Sequence, residues 1–415
     1  MGHRITILAI GSRGDVQPYL PLGRRLSERG HDVSVLTSAG YAPLVREAGL
    51  RCVPVDVDVK AILESGHGQD WLAAHRDPVR LAVSLRPLVD AYADRLIEAA
   101  EACGDTDAVI CSLLGALLRP AIVPATTPFC FGALQPTYPT GSFPTIQLPH
   151  RRSLGRLANR LSHRVVETLM WQGARSVLRR RASGLPWRAP TTQLRRAGHP
   201  VLAGFSRHVV PRPPDWPGSV HVTGYWFTDL PSTWTPPEGL AAFLEAGPPP
   251  VFVGFGSMVP GDPRTTAETV RRALRRSGHR GVLLGGPTVE PSDEQVHVVA
   301  DIPHQWLFPR MAAVVHHGGA GTTAAALRAG VPSVTTPFFL DQPFWGERLH
   351  HLGVAAAPVP IRTLTAERLA EAITEVTADP LTRERARVLG EDVRAERGVD
   401  RAADVVEDWL TTACR

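Results

Sequence analysis

The chain has 415 residues, of which 43% are hydrophobic and 20% charged, with a formal net charge of +5 at pH 7. That length exceeds one ordinary core and points to two domains, and the composition excludes a disordered or fibrous chain. The positive charge is carried by arginine (Lys60 is the only lysine), is not interleaved with aromatics and accompanies no nucleic-acid motif, so no nucleic-acid partner is expected.

No apolar run has the length needed to span a bilayer, and the N-terminus enters a strand directly instead of a signal peptide. The five cysteines, Cys52, Cys103, Cys111, Cys130 and Cys414, are scattered and lack metal-ligand spacing. They read as free thiols in a reducing cytoplasm.

Arg4–Ile10 reads as a buried strand that runs into Gly11-Ser12-Arg13-Gly14-Asp15-Val16-Gln17-Pro18. A helical pattern follows on Leu20, Leu22 and Leu26 and stops at Gly30. Asp32–Thr37, Arg51–Val55, Ala108–Ser112 and Phe129–Leu134 are further strands, with a helix over Tyr41–Ala48. Short-looped βαβαβ order predicts a parallel, doubly wound sheet. Residues 135–150, rich in Pro, Thr and Gly, form a long loop. In residues 150–181 nine arginines accompany one acid, Glu167. That stretch is either a solvated helix face or a weak attachment to an anionic membrane surface.

Pro213, Pro214, Pro217, Pro231, Pro236 and Pro237 mark 213–237 as the inter-domain linker, so the first domain covers 1–212. A second βα series follows over 238–388: Val251–Phe255, Val282–Gly285, Val296–Ala300, Ala312–Val315 and Ser333–Pro337. Residues 389–415 close the chain as a helix with an apolar stripe of Val405, Val406, Trp409 and Leu410, expected to pack back on the first domain. The fold expected is α/β, two Rossmann-like domains facing across a cleft, with ligands at the strand carboxyl ends.

The richest chemistry lies in His316-His317-Gly318-Gly319-Ala320-Gly321-Thr322-Thr323, a strand-to-helix turn. Such a turn leaves backbone N–H groups and the positive helix end facing outward, which suits a phosphate. His317 adds a charge-assisted donor, and Thr322 and Thr323 add hydroxyls. Gly256-Ser257, after the first strand of the second series, offers another N–H and hydroxyl. Asp341 and Gln342, beside aromatic rings, are equipped to hold vicinal sugar hydroxyls, although Asp341 before Pro343 also fits a helix N-cap. Asp15 reads equally as a capping residue or as a carboxylate able to take a proton from an attacking hydroxyl. Arg13 could tune it or bind an acceptor. The strings Asp56-Val57-Asp58 and Asp105-Thr106-Asp107 lie away from these turns and are discounted as metal sites. No cluster has zinc spacing.

These segments together resemble the UDP-glycosyltransferase superfamily with the GT-B fold, in its bacterial antibiotic and sterol 3-β-glucosyltransferase branch. The carriers are Gly11–Pro18, Val222–Phe227, Phe255–Met258, Ile302–Pro309, His316–Thr323 and Pro337–Trp345, in the family's order across nearly the whole chain. The resemblance implies inverting transfer of a sugar from a nucleotide diphosphate donor to a small-molecule hydroxyl, with no cofactor and no required metal. It implies that His317, Gly319, Gly321, Thr322, Thr323 and Ser257 contact the diphosphate. Gln305 and Trp306 would contact the nucleobase, Asp341 and Gln342 the donor sugar. Asp15 would be the base, with Arg13 and Gln135 on the acceptor side. The expected donor is UDP-glucose or a dTDP-sugar, and the expected acceptor a small hydrophobic polyketide, macrolide or glycopeptide aglycone, with a sterol second. A nucleotide-sugar epimerase or a catalytically silent nucleotide-sugar-binding partner is the alternative. The enzyme is expected to be a monomer or homodimer.

Overall fold

In the computed structural model, residues 2–58, 61, 78–103, 105–147, 153–230, 234–255, 263–285 and 291–413 are described. The chain divides into two compact units, Met1–Thr228 with Glu396–Arg415, and Asp229–Ala395.

The N-terminal unit holds seven strands: β1 (Arg4–Leu8), β2 (Asp32–Ser38), β3 (Arg51–Val55), β4 (Ala108–Cys111), β5 (Phe129–Ala133), β6 (Val201–Ala203) and β7 (Val220–Val222). They lie in the order β3-β2-β1-β4-β5-β6-β7, all neighbours parallel. Ile5 and Ile7 of β1 and Ile110 of β4 are fully buried, as sheet residues covered by helices on both faces must be. The order reverses between β1 and β4, and there the two strand ends are stitched together. Ser112 Oγ accepts from the Ile10 N–H at 3.1 Å and from the Gly115 N–H at 3.2 Å.

Two sequence expectations change here. The proline-rich stretch 213–237 is not wholly linker, because β7 within it hydrogen-bonds in parallel to β6. These three-residue strands are too short for an alternation to be read. The return to the first unit comes at Glu396, because the helix Pro380–Ala395 belongs entire to the second unit.

The last helix, Gly398–Ala413, lies on the helix Tyr19–Glu28. Ala402, Ala403, Val406, Trp409 and Leu410 enter the same core as Leu22, Leu26 and Val33. Arg25 pairs with Asp400 at 2.8 Å and Arg29 with Asp404 at 2.8 Å. Partly exposed pairs are worth roughly 0–1 kcal/mol, whereas burying Val406, Trp409 and Leu410 contributes about 1.5–3 kcal/mol each, so the apolar stripe decides the docking. Where the chain returns, Gly398 lies against the outgoing run. A Cβ there would sit 2.2 Å from the Tyr225 carbonyl oxygen and 2.8 Å from the Gly224 carbonyl carbon. Backbone cannot yield as a side-chain tip can. Gly398→Ala is therefore expected to destabilise the protein by about 1–3 kcal/mol, read as a lower denaturant midpoint at unchanged slope.

The loop after β5 is pinned. Asp215 accepts from Thr140 Oγ1 at 2.7 Å, the Gly141 N–H at 2.8 Å and Arg160 Nη2 at 2.6 Å. These donors outweigh burial and hold its carboxyl well below the usual range. The basic stretch likewise finds more acids than its own sequence supplies. Arg181 pairs with Asp90 and Asp94 of the helix Pro78–Cys103, at 2.8 and 2.5 Å, while Glu167 is taken by Arg195 at 2.6 Å.

The C-terminal unit is a five-stranded parallel sheet: β8 (Val251–Gly254), β9 (Gly281–Leu284), β10 (Val296–Val299), β11 (Ala313–His316) and β12 (Ser333–Thr335), in the order β10-β9-β8-β11-β12. Its reversal falls between β8 and β11, at the carboxyl ends carrying Phe255 and His317. Among the described residues no helix is long and apolar enough to cross a membrane. Cys52, Cys111 and Cys130 carry free thiols.

Candidate functional site

In the C-terminal unit, β11 ends at His316 and the helix Ala320–Ala329 begins four residues later, with Gly319 as its extended N-cap. Thr323 donates the first ladder bond, to the Gly319 carbonyl at 2.9 Å. The N–H groups of Ala320, Gly321 and Thr322 precede that ladder and stand at the positive end of the helix. Gly318 has φ +85°, and a Cβ on it would lie 2.9 Å from the Gln342 carbonyl oxygen. Glycine here makes the turn and brings it against the Asp341–Gln342 segment.

The histidines differ. His316 is buried, and its Nδ1 accepts from the Gly318 N–H at 3.1 Å. Burial, with His317 and His304 nearby, pushes it down to about 3. His317 keeps part of its surface open and stacks on Phe338, centroids 6.2 Å apart. Its Nε2 lies 2.3 Å from where a Gly319 Cβ would be, so glycine at 319 lets the ring sit over the helix start. His317 Nδ1 is buried without a hydrogen-bond partner among the described residues. Burial, and then His304, push His317 down to about 4. The charge-assisted donor expected from sequence is thus a neutral imidazole at neutral pH until an anion arrives. The Thr323 hydroxyl has no hydrogen-bond partner among the described residues. It is fully buried, whereas Thr322, beside the open Gly321, keeps part of its surface exposed.

Asp341 does not cap the helix Gln342–His351 with its side chain. Its Oδ2 accepts from Trp345 Nε1 at 2.9 Å, one turn on. Gln342 is buried, and its Oε1 accepts from the Phe338 and Phe339 N–H groups at 2.8 and 3.3 Å. Its oxygen is therefore a strut for the loop, which leaves Nε2 for any ligand. Leu340, at φ 50°, is the one described non-glycine residue in the left-handed region. Such strain costs about 1–3 kcal/mol and gathers at functional sites.

Gln305 and Trp306 lie on the short helix His304–Leu307. Trp306 packs on Trp234 at 5.3 Å, and the Arg310 guanidinium stands 4.4 Å from its ring centre. Ser257, the second expected diphosphate contact, lies outside the described residues.

In the N-terminal unit, Gly11 has φ +136°, and a Cβ on it would meet Asp15 Oδ2 at 2.5 Å. Asp15 is the third residue of the short helix Arg13–Val16, and Ser12 is the N-cap. Asp15 Oδ2 accepts from the Ser12 N–H at 2.9 Å and the Ser12 hydroxyl at 2.8 Å. Asp15 is thus not itself the N-cap that the sequence suggested but the third-position partner of the N-cap Ser12 in a capping box, with Oδ1 left outside these two bonds. Burial raises the Asp15 pKa and the two Ser12 bonds lower it, leaving it above the ordinary carboxylate value. Arg13 bonds Gln17 Oε1 at 3.1 Å. The tuning expected of Arg13 is supplied by Ser12, which sequence reasoning did not single out although the S-x-x-D spacing signals it.

Tyr41 and Tyr92 also feel this region: burial and then the Asp15 charge raise Tyr41, while burial raises Tyr92 against its Ser38 bond, with smaller contributions from Tyr41 and then Asp15. Tyr92 Oη and Ser38 Oγ share a hydrogen bond of 2.8 Å. Gln135 is half-buried beyond the end of β5. Asp107 pairs with Arg4 at 2.8 Å, so the second Asp-x-Asp string is structural. No group of three or more His, Cys, Asp or Glu among the described residues could hold a metal ion.

Ser12→Ala removes one of the bonds that favour the ionised carboxylate. The apparent pKa on the acid limb of kcat/KM is then expected to rise, and Ser12→Thr to restore it. An unmoved acid limb would detach Ser12 from Asp15's ionisation.

Comparison with known proteins addresses both units. Residues 5–86 match the glycosyltransferase family 28 N-terminal domain, and residues 286–408 match the erythromycin biosynthesis protein CIII-like C-terminal domain. O-mycaminosyltylonolide 6-deoxyallosyltransferase of Streptomyces fradiae is 40% identical over 427 residues, covering 99% of this chain and 98% of that protein. A sterol 3-beta-glucosyltransferase of Arabidopsis thaliana is 35% identical, covering 99% of this chain and 66% of its own length. Among solved structures, the kitacinnamycin glycotransferase matches with a TM-score of 0.70 at 24% identity, over 99% of this chain and 100% of that one. VinC, solved with dTDP, matches at 0.64 and 20%, over 99% of both. At such identities the solved structures speak for the fold. The full-length match at 40% identity goes further: the chain belongs to the GT-B glycosyltransferases, in the branch shared by antibiotic and sterol glycosyltransferases, and is a sugar-transferring enzyme.

Proposed function

We propose that this enzyme moves a hexose from a nucleotide diphosphate sugar, UDP-glucose or a dTDP-sugar, to a hydroxyl of a small apolar polyketide, macrolide or glycopeptide aglycone. It inverts the anomeric carbon, uses no cofactor, and works in the cytoplasm as a monomer or homodimer. The observation that carries the donor half is the His316–Thr322 turn, at the reversal point of its sheet, with N–H groups ahead of the helix ladder and His317 over them. The acceptor half rests on the Streptomyces fradiae relative, by name a 6-deoxyallosyltransferase acting on O-mycaminosyltylonolide. A second reading, a sterol 3-beta-glucosyltransferase, has the 35% identical Arabidopsis thaliana protein in its favour.

In this reading Asp15 Oδ1 takes the proton of the acceptor hydroxyl while that oxygen forms its bond to the anomeric carbon. The bond from that carbon to the diphosphate breaks in the same displacement, and its electrons leave with the nucleotide diphosphate. The helix start, His317 and the Thr322 hydroxyl meet the charge that develops there, a task preorganised dipoles perform well in a water-poor site. Ser257 adds a second diphosphate contact, Gln305 and Trp306 hold the nucleobase, and Asp341 with Gln342 Nε2 hold the sugar. No metal is required, so turnover is expected to be unchanged in EDTA.

The experiment is a mass-spectrometric screen of purified protein with UDP- and dTDP-sugars against a mixed panel of macrolide, polyketide, glycopeptide and sterol acceptors. A product heavier by one hexosyl or deoxyhexosyl group supports the proposal and names the sugar. Donor hydrolysis or epimerisation with no adduct on any acceptor would overturn it.

A further inference from the structure

The helix Arg156–Leu178 carries two parallel rows that nothing in glycosyl transfer uses. Leu157, Leu161 and Val165 recur every fourth residue, so they form one stripe along the helix. They are 84%, 60% and 42% exposed, with Leu154 at 47% just before the helix. The inner face, with Asn159, His163, Val166 and Trp171, is buried in the N-terminal unit. The apolar stripe is therefore a second, outward one. Single exposed apolar side chains are ordinary, but four neighbouring ones, three leucines and a valine, mark an interaction surface.

Beside it runs a cationic row at the same spacing, Arg156, Arg160 and Arg164. Arg156 and Arg164 are exposed, and the Arg160 side chain stays 41% exposed while it bonds Asp215. No acid occurs between residues 153 and 166, and Glu167 is occupied by Arg195. Leucine and arginine rows side by side on a surface helix match the acyl boundary and the headgroups of an anionic bilayer. A second copy of this chain fits less well, since a two-fold contact through one helix would bring the two arginine rows together.

We propose that this face docks the enzyme reversibly on an anionic lipid surface, with Leu154, Leu157, Leu161 and Val165 in the boundary and the arginines on the headgroups. Such docking would concentrate the enzyme where an apolar acceptor partitions. The docking itself stands or falls independently of the acceptor's identity.

The test is co-sedimentation of the full chain with vesicles of phosphatidylcholine alone or mixed with phosphatidylglycerol, at low and high salt. Binding is expected to the mixed vesicles, weakened by salt. Leu157→Glu with Leu161→Glu is expected to reduce it about tenfold or more, and Arg156→Glu with Arg164→Glu to abolish the preference for phosphatidylglycerol. All these side chains face solvent, so transfer to a dissolved acceptor should match wild type and report intact folding. Absence of vesicle binding by the wild type, or equal binding by the leucine variant, would overturn the proposal. So would light scattering showing a dimer that Leu157→Glu splits, since the face would then belong to a second copy.

Discussion

Asp15→Asn is expected to lower kcat by about 10²–10⁴-fold, the usual contribution of a general base, while the affinity for the nucleotide sugar stays within about twofold of wild type. The substitution separates the two things this carboxylate does. Asparagine keeps an oxygen able to accept from the Ser12 N–H and hydroxyl, so the capping box and the turn behind Gly11 persist. Basicity alone is lost. Stability provides the control. Folding raises the Asp15 pKa because burial disfavours the charged form. A carboxyl raised in this way favours the native state at pH below its unfolded pKa, and that contribution is lost as pH rises through the folded pKa. At neutral pH the buried charge is a cost that asparagine removes, so Tm is expected to be unchanged or higher. A variant with lower Tm and proportionally lower activity would show a structural role, and one with near-wild-type kcat would remove Asp15 from proton transfer. In the wild type, kcat/KM should fall as pH drops through the raised pKa, because only the ionised form accepts a proton.

The βα rhythm was legible in the sequence because buried parallel strands are short continuous apolar runs, whereas the strand orders and their reversal points came only from the structure. Ile5–Ile7 and Ala313–Val315 need no alternation to be recognised. β6 and β7 were not legible. Three residues each, near prolines, they are strands only because β5 offers an edge to β6, and β6 in turn to β7. The site divides in the same way. His317, Gly319 and Asp15 could be picked by chemistry and by their place after strands. What their neighbours do to them could not. The descent of His317 to about 4 depends on burial and on His304, thirteen residues away in sequence. The use of Gln342's oxygen by the Phe338 and Phe339 N–H groups depends on a loop turned through Leu340 in the left-handed region, where leucine is not anticipated. Ser12 was within reach, since serine followed three residues later by aspartate announces a capping pair.

His317→Ala is expected to weaken binding of the nucleotide diphosphate by about 10–100-fold, the value of one hydrogen bond to a charged group, and to lower kcat as well. The second effect follows because charge on the leaving diphosphate grows toward the transition state, so a donor there is worth more at that point than in the ground state. The imidazole is neutral in the free protein at neutral pH, and a diphosphate beside it would favour its protonated form. Affinity of the wild type should therefore rise as pH falls from neutral toward about 4, more steeply than the ligand's own titration explains, and the alanine variant should lack that excess. Gly319→Ala tests the same assignment without touching the ring. The backbone at 319 (φ −64°, ψ 145°) is open to alanine, so the only new feature is a methyl 2.3 Å from His317 Nε2. To relieve that contact the imidazole must swing off the helix start, and nucleotide affinity should fall toward that of His317→Ala, with no further loss when the two are combined. Calorimetric titration of UDP and dTDP into the three variants decides the matter. Wild-type affinity in both single variants would move the diphosphate away from this turn, whereas full additivity in the double variant would mean that the methyl acts on the helix start and not through the ring.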